Sequence, residues 1–151
     1  MKKMLLFTTL MAAGALVAAN PILGTWKMNV AKSKFSPGPA PKSVTSTYTE
    51  SDGWVVITTD AVSADGTPTK RESRVKADGK EYPFENVYGK GTTVIKQKDP
   101  YNWTSVQKLD GGNTVTTKGM ISKDGKTRTQ TASGTNAKGE KVHTVTVWER
   151  Q

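Results

Sequence analysis

Arg71 is the side chain with the most chemistry to offer. It stands in the run Thr69-Lys70-Arg71-Glu72-Ser73-Arg74-Val75-Lys76, where Lys70, Glu72, Arg74 and Lys76 fall at every second position. Alternate side chains on a strand share a face, so the charged set faces water and Thr69, Arg71, Ser73 and Val75 turn inward. An inward arginine needs an anion, because burying an unpaired charge is expensive and a guanidinium grips a carboxylate through two parallel hydrogen bonds. Three outcomes are open: the anion belongs to a bound molecule, it is an acidic side chain of the protein, or the arginine reaches solvent at the strand end.

The same alternation applied to other stretches turns Val44 and Tyr48 inward, with Val55, Ile57 and Thr59. It puts Tyr101, Trp103, Ser105, Gln107 and Leu109 on one face, and Val115, Thr117, Gly119 and Ile121 on another. Near the end of the chain Val142, Thr144, Thr146 and Trp148 compete with Val145 and Val147 for the inner face. Tyr48, Ile57, Arg71, Trp103, Gln107 and Thr146 are therefore the candidate ligand contacts. They offer apolar surface for the body of a small molecule and hydrogen-bonding groups for its head.

Nothing in the chain points to catalysis. His143 is the sole histidine, and without a cysteine or a glutamate at helical spacing it forms neither a metal site nor a triad. A nucleophile elbow, a phosphate loop, a zinc helix and a calcium loop are all missing from the sequence. Glu50, Asp60, Glu72, Glu81 and Glu85 are scattered without a recognisable pairing. No cofactor and no metal are implied.

The elements that would position these side chains are strands. Six glycine turns punctuate the chain: Ser51-Asp52-Gly53, Ala64-Asp65-Gly66, Ala77-Asp78-Gly79, Asp110-Gly111-Gly112, Lys123-Asp124-Gly125 and Ala137-Lys138-Gly139. Glycine, with Asn and Asp next, accepts the positive φ of tight hairpins. Their spacing, mostly 11 to 14 residues, is the rhythm of strand plus turn. Residues 20–151 hold 20 threonines but only Leu23 and Leu109 as leucines, a composition that suits pleated strands over helices. The pattern predicts nine strands, at about 23–29, 43–50, 54–62, 67–76, 92–98, 101–109, 113–122, 126–133 and 141–149. Residues 31–42, with Pro37, Pro39 and Pro41, read as an extended connector. Residues 82–91 read as a loop whose Tyr82, Phe84 and Tyr88 form a lid or a plug. With no helix to cover a face, the expected solution is an all-β fold, a single antiparallel up-and-down β-barrel of 8–10 strands, since closure buries the apolar side and removes edges.

Lys2 and Lys3 precede the apolar run Met4 to Val17, followed by Ala18, Ala19, Asn20 and Pro21. This is the layout of a secretory signal peptide over residues 1–19, cut after Ala19. The expected product is one domain, 20–151, periplasmic or secreted, monomeric and without a membrane anchor after cleavage. It has no cysteine, hence no disulfide and no lipid on such a residue. Without Lys2 and Lys3 it carries 20 basic and 13 acidic residues, a net +7. That charge favours anionic partners or simply solubility. Basic residues alternate with acids instead of forming a stripe, which argues against nucleic acid.

Gly24-Thr25-Trp26-Lys27 resembles the glycine-x-tryptophan opening of the calycins, the lipocalins and fatty-acid-binding proteins. Val147-Trp148-Glu149-Arg150-Gln151 resembles the closing strand of the latter. With Met28-Asn29, Ala31-Lys32-Ser33-Lys34-Phe35, Pro37-Gly38-Pro39, Asp124-Gly125-Lys126-Thr127 and Gly134-Thr135-Asn136-Ala137-Lys138-Gly139, most of the chain is similar to small exported bacterial lipocalin-like proteins. The resemblance implies a barrel whose floor is plugged by Trp26, with Arg150 over that ring, and a small apolar or anionic amphipathic ligand. Two features depart from it. The proline connector replaces a helical pair, and Thr146 stands where an arginine would grip the ligand carboxylate. The alternative is a filled barrel that works through its surface.

Overall fold

The computed structural model describes residues 20–151; the expected leader, 1–19, lies outside them. Ten strands follow one another: β1 Gly24–Met28, β2 Ser43–Ser51, β3 Trp54–Val62, β4 Pro68–Val75, β5 Asp78–Asn86, β6 Gly89–Asp99, β7 Asn102–Leu109, β8 Thr114–Ile121, β9 Thr127–Thr135 and β10 Lys141–Arg150. All ladders are antiparallel, in the order β4-β3-β2-β1-β10-β9-β8-β7-β6-β5. The first and last strands pair, Trp26 opposite Arg150 and Met28 opposite Trp148, so the meander closes on itself. One seam remains. β4 and β5 share no ladder and meet through side chains: Arg71 Nε lies 4.0 Å from Glu85 Oε1, and the Trp54 ring, from the start of β3, stands edge to face with that of Tyr82 on β5 at 5.0 Å.

Turn chemistry recurs from hairpin to hairpin. Asp65, Asp78, Asn86, Asp99, Asp124 and Asn136 each accept a hydrogen bond from the backbone N–H two residues on, at 2.8–3.0 Å. This Asx turn lets a short side chain imitate the backbone. The β2–β3 connection uses Asp52 and Gly53 at φ of 52° and 75°, the pair of positive angles that matches strand twist.

Hydrogen bonds hold four of these aspartates below their ordinary value of 3.8. The chief donor is the Thr67 amide for Asp65, the Tyr82 hydroxyl for Asp78, the Asn102 side chain for Asp99 and the Ser122 hydroxyl for Asp124. A depressed folded pKa gives stability that is complete above the unfolded value and is lost as pH falls through the folded one. The urea midpoint is therefore expected to stay level above about pH 5 and to drop below about pH 4. A midpoint that rises on acidification would contradict this.

The structure corrects the sequence reading in one stretch. Residues 82–91, expected as a loop, are strand except for the two-residue turn Val87-Tyr88: 82–86 finish β5 and 89–91 begin β6, giving ten strands where nine were expected. Pro83 made the stretch look unlike a strand, yet β5 borders the seam and needs only one hydrogen-bonded neighbour, the place where a strand tolerates proline. The proline connector begins with a 3-10 turn, Val30–Lys32, and then runs along β10. Lys34 and Val145 exchange backbone hydrogen bonds at 2.7 and 2.8 Å, and the His143 N–H donates to the Ser36 carbonyl at 2.8 Å. Short β1 thus hands its edge of β10 to the connector.

The inner face carries two apolar clusters. Trp26, Val44, Ile121 and Trp148 pack at the end where the chain enters β1, with Ile22, Met28, Tyr48, Ala61 and Trp103 against them. Leu109, Val115, Ala132 and Val142 pack towards the opposite end, with Tyr88 from the β5–β6 turn inserted among them. Of the three ring residues expected as lid or plug, Tyr88 is a plug. Tyr82 and Phe84 are half-buried positions of β5.

Candidate functional site

The floor of the barrel is organised around Trp26, which has no exposed surface. Its Nε1 donates to the Ile22 carbonyl at 2.8 Å. The Arg150 guanidinium lies 4.3 Å from the ring centroid, the cation–π contact the resemblance implied. Arg150 is fully engaged: Nε donates to the Gly125 carbonyl at 2.6 Å, Nη1 to that of Leu23 at 2.6 Å and Nη2 to that of Pro21 at 2.5 Å. Gly24, at φ +115°, makes room for it, since a Cβ there would stand 2.6 Å from Nη1. Three elements remote in sequence are pinned by one side chain.

Arg128 on β9 is the opposite case. The ladders place it beside Trp148 on one side and Ile121 on the other, so its side chain turns into the same floor. It is 0% exposed. Its guanidinium carbon lies 4.3 Å from the Trp148 ring, 4.9 Å from Tyr48 and 5.2 Å from Trp26. None of its three nitrogens meets strict hydrogen-bond geometry with a partner among the described residues, although the Tyr48 hydroxyl is close enough to favour the charge. Burial pushes its pKa down, opposed by the neighbouring Tyr48 oxygen and reinforced by the second cation, Arg150. An arginine so high in its ordinary range stays protonated, so the floor holds a charged fork with its donors unmet. Tyr48 is the half-buried wall of this cage.

The six residues expected to line the site all face inward but do not converge. Tyr48 and Ile57 are ladder partners and adjoin the Arg128 cage. Trp103 and Thr146 share one row across the sheet, through Gly119 and Gln130; the Trp103 ring occupies the space a Cβ on Gly119 would need. The Thr146 hydroxyl accepts from Trp148 Nε1 at 2.9 Å, and burial of Val142, Thr144 and Trp148 shows the phase of β10: Val142, Thr144, Thr146 and Trp148 are the inner set. Arg71 lies at the seam with Glu85 as its partner, an ion pair exposed enough to contribute at most about 1 kcal/mol. Gln107 belongs to the upper end, where its Nε2 donates to the Gly89 carbonyl at 3.0 Å.

Between the two packed ends, inward residues such as Ile57, Thr59, Ser105, Thr117 and Gln130 are only half-buried. A hollow of about 290 Å³ is flanked by the outward Lys98, Lys118, Met120 and Thr131 and also touches Trp103 and Gly119. His143 is exposed on the outer face of β10. Arg128 escaped the sequence reading; the one signal for it was Thr127, Thr129 and Thr131 alternating with Arg128, Gln130 and Ala132, which leaves open which set is inner.

No family model matches the chain, and no curated protein does either. Solved structures do. A fatty acid binding protein of Schistosoma mansoni in complex with arachidonic acid matches with a TM-score of 0.62 at 16% identity, over 87% of this chain and 96% of that one. A SAHS protein from Ramazzottius varieornatus matches at 0.61 and 8% identity, over 87% and 96%. The zebrafish ileal bile acid-binding protein complexed with cholic acid matches at 0.53 and 14%, over 87% and 99%. With ten antiparallel strands closing first to last around a plugged tryptophan floor, the chain has the calycin-type β-barrel fold of the fatty-acid-binding proteins.

Proposed function

We propose that the chain is an exported binding protein that holds one small anionic amphipathic molecule in its barrel, with the acid head on Arg128. The observation that carries this reading is the fully buried guanidinium without a hydrogen-bond partner. A carboxylate meets two of its donors at once, and such charge-assisted pairs are about twice as strong as neutral ones. The rings of Trp26, Tyr48 and Trp148 would flank the head, and the half-buried middle of the barrel would take the body. Access to the head site requires Tyr48 to swing, since the other cage members are buried. Two of the structurally similar proteins are described with arachidonic acid and with cholic acid, both carboxylic acids.

The filled-barrel reading draws on one observation: Trp26 and Arg128 have no exposed surface, so the floor is shut in the free protein. Native mass spectrometry of protein recovered from the envelope or the culture fluid separates the two. The expected species is residues 20–151 carrying a small acid, and hexadecanoate should bind more tightly than hexadecanol. An uncleaved chain would remove the export part of the reading. A bare mass with neither hexadecanoate nor hexadecanol binding would remove the ligand.

A further inference from the structure

Gln107 shares the peculiarity of Arg128 at the other end of the interior. The residue is 4% exposed, and its Oε1 has no hydrogen-bond partner among the described residues. The bond from Nε2 to the Gly89 carbonyl fixes the orientation of the amide, because the flipped amide would set oxygen against oxygen. The orphan is therefore an acceptor, and a buried acceptor left without a donor is costly.

The ladders relate the two positions. Gln107 lies beside Val115 and Val115 beside Gly134, six residues from Arg128 along β9. Six residues of strand span about 20 Å, and an even number keeps both side chains on the inner face. The stretch between them is lined by Ser105, Thr117, Gln130 and Thr146 as much as by Ile57 and Ile95. A plain hydrocarbon would leave those groups and the Gln107 oxygen unmet.

We propose that the ligand is two-ended: an acid whose far end carries a hydroxyl or N–H donor that bonds Gln107 Oε1. This rests on the reading of Arg128 given above and is testable apart from it. Selectivity follows from the chemistry, since a site built around a hydrogen bond rejects the analogue that lacks it more strongly than an apolar site rejects a hydroxyl.

The experiment measures affinities for ω-hydroxyhexadecanoate, ω-methoxyhexadecanoate and hexadecanoate by quenching of the tryptophan fluorescence. The methoxy acid keeps the distal oxygen and removes only its proton. The hydroxy acid is expected to bind about tenfold more tightly than the methoxy acid, the size of one well-made hydrogen bond. Gln107→Met should bring the two to parity. Parity of the hydroxy and methoxy acids in the unaltered protein overturns the inference, and that comparison decides even if the variant fails to fold. Loss of hexadecanoate binding in an Arg128 variant together with such parity would leave the head site standing and sink only this one. If none of the acids binds, both fall.

Discussion

Trp26→Ala is expected to destabilise the protein by about 3–5 kcal/mol, the range for deleting a large aromatic from a core. The ring is wholly buried and packs with Val44, Ile121 and Trp148. Removing about 150–250 Å² of apolar surface from water is worth about 4–6 kcal/mol at about 25 cal/mol/Å², an upper figure because the unfolded chain already hides part of that surface. Two further losses add to it. The Ile22 carbonyl loses its donor, and both Arg128 and Arg150 lose a ring. A domain of this size has about 5–15 kcal/mol in all, so the variant should lie close to the edge of folding. Urea denaturation followed by circular dichroism measures the shift. A midpoint equal to that of the unaltered protein would show that the floor is not where the fold is held. Arg150→Met should cost less, because the remaining Trp26 packing survives, although three carbonyls lose a shared donor.

Arg128→Met has the opposite sign. In the free protein, five guanidinium N–H groups are buried without acceptors, at about 1–3 kcal/mol each. Cation–π contacts return about 2 kcal/mol apiece when desolvated, and a flat guanidinium has only two faces to offer the three rings. Desolvation wins. Methionine fills a similar path and places sulfur against the same rings. Replacing buried charge by apolar groups is worth about 1–4 kcal/mol in comparable cores, so the variant is expected to unfold at higher urea than the parent. At the same time its affinity for hexadecanoate should fall about 100-fold, to the level of hexadecanol, which corresponds to about 2.7 kcal/mol. Stability gained with ligand lost is the mark of a functional group held at the fold's expense. If Arg128→Met is less stable and binds the acid unchanged, Arg128 is a structural cation and the head site lies elsewhere.

The comparison of Arg150 with Arg128 shows why neither side chain could be interpreted from composition. Both stack on Trp26. One is closed off by three carbonyls, from Pro21, Leu23 and Gly125, whereas the other has none. Arg71, inward by the alternation of its strand, meets Glu85 across the seam. Three arginines with the same chemistry thus serve as a staple, an unmet donor and a surface tie. What separates them is which groups other strands bring within about 3 Å.

Most of the architecture was legible because it is set locally. Aspartate or asparagine ahead of a turn satisfies an N–H two residues later, glycine takes the positive φ, and threonine and valine alternate between faces over each strand. These rules placed nine strands near their observed limits and assigned the inner faces of β2, β3, β4, β7 and β8. They failed at β5, where Pro83 is acceptable only because that strand borders the open seam, a fact about neighbours. They left β10 ambiguous because valine occupies both phases, Val142 in one and Val145 and Val147 in the other, until pairing with β1 fixes one.

The amino-acid order therefore determined by itself that this is an all-β meander with a tryptophan near its start and a matching tryptophan near its end. Tertiary structure alone decided that β1 meets β10, that β4 and β5 do not pair, and that Arg128 and Gln107 are, among the described residues, the buried groups left without partners. The reason is the range of the interactions. A turn or a strand phase is fixed by residues two to four apart, whereas the satisfaction of a buried donor depends on the register of strands that the chain brings together only after more than a hundred residues.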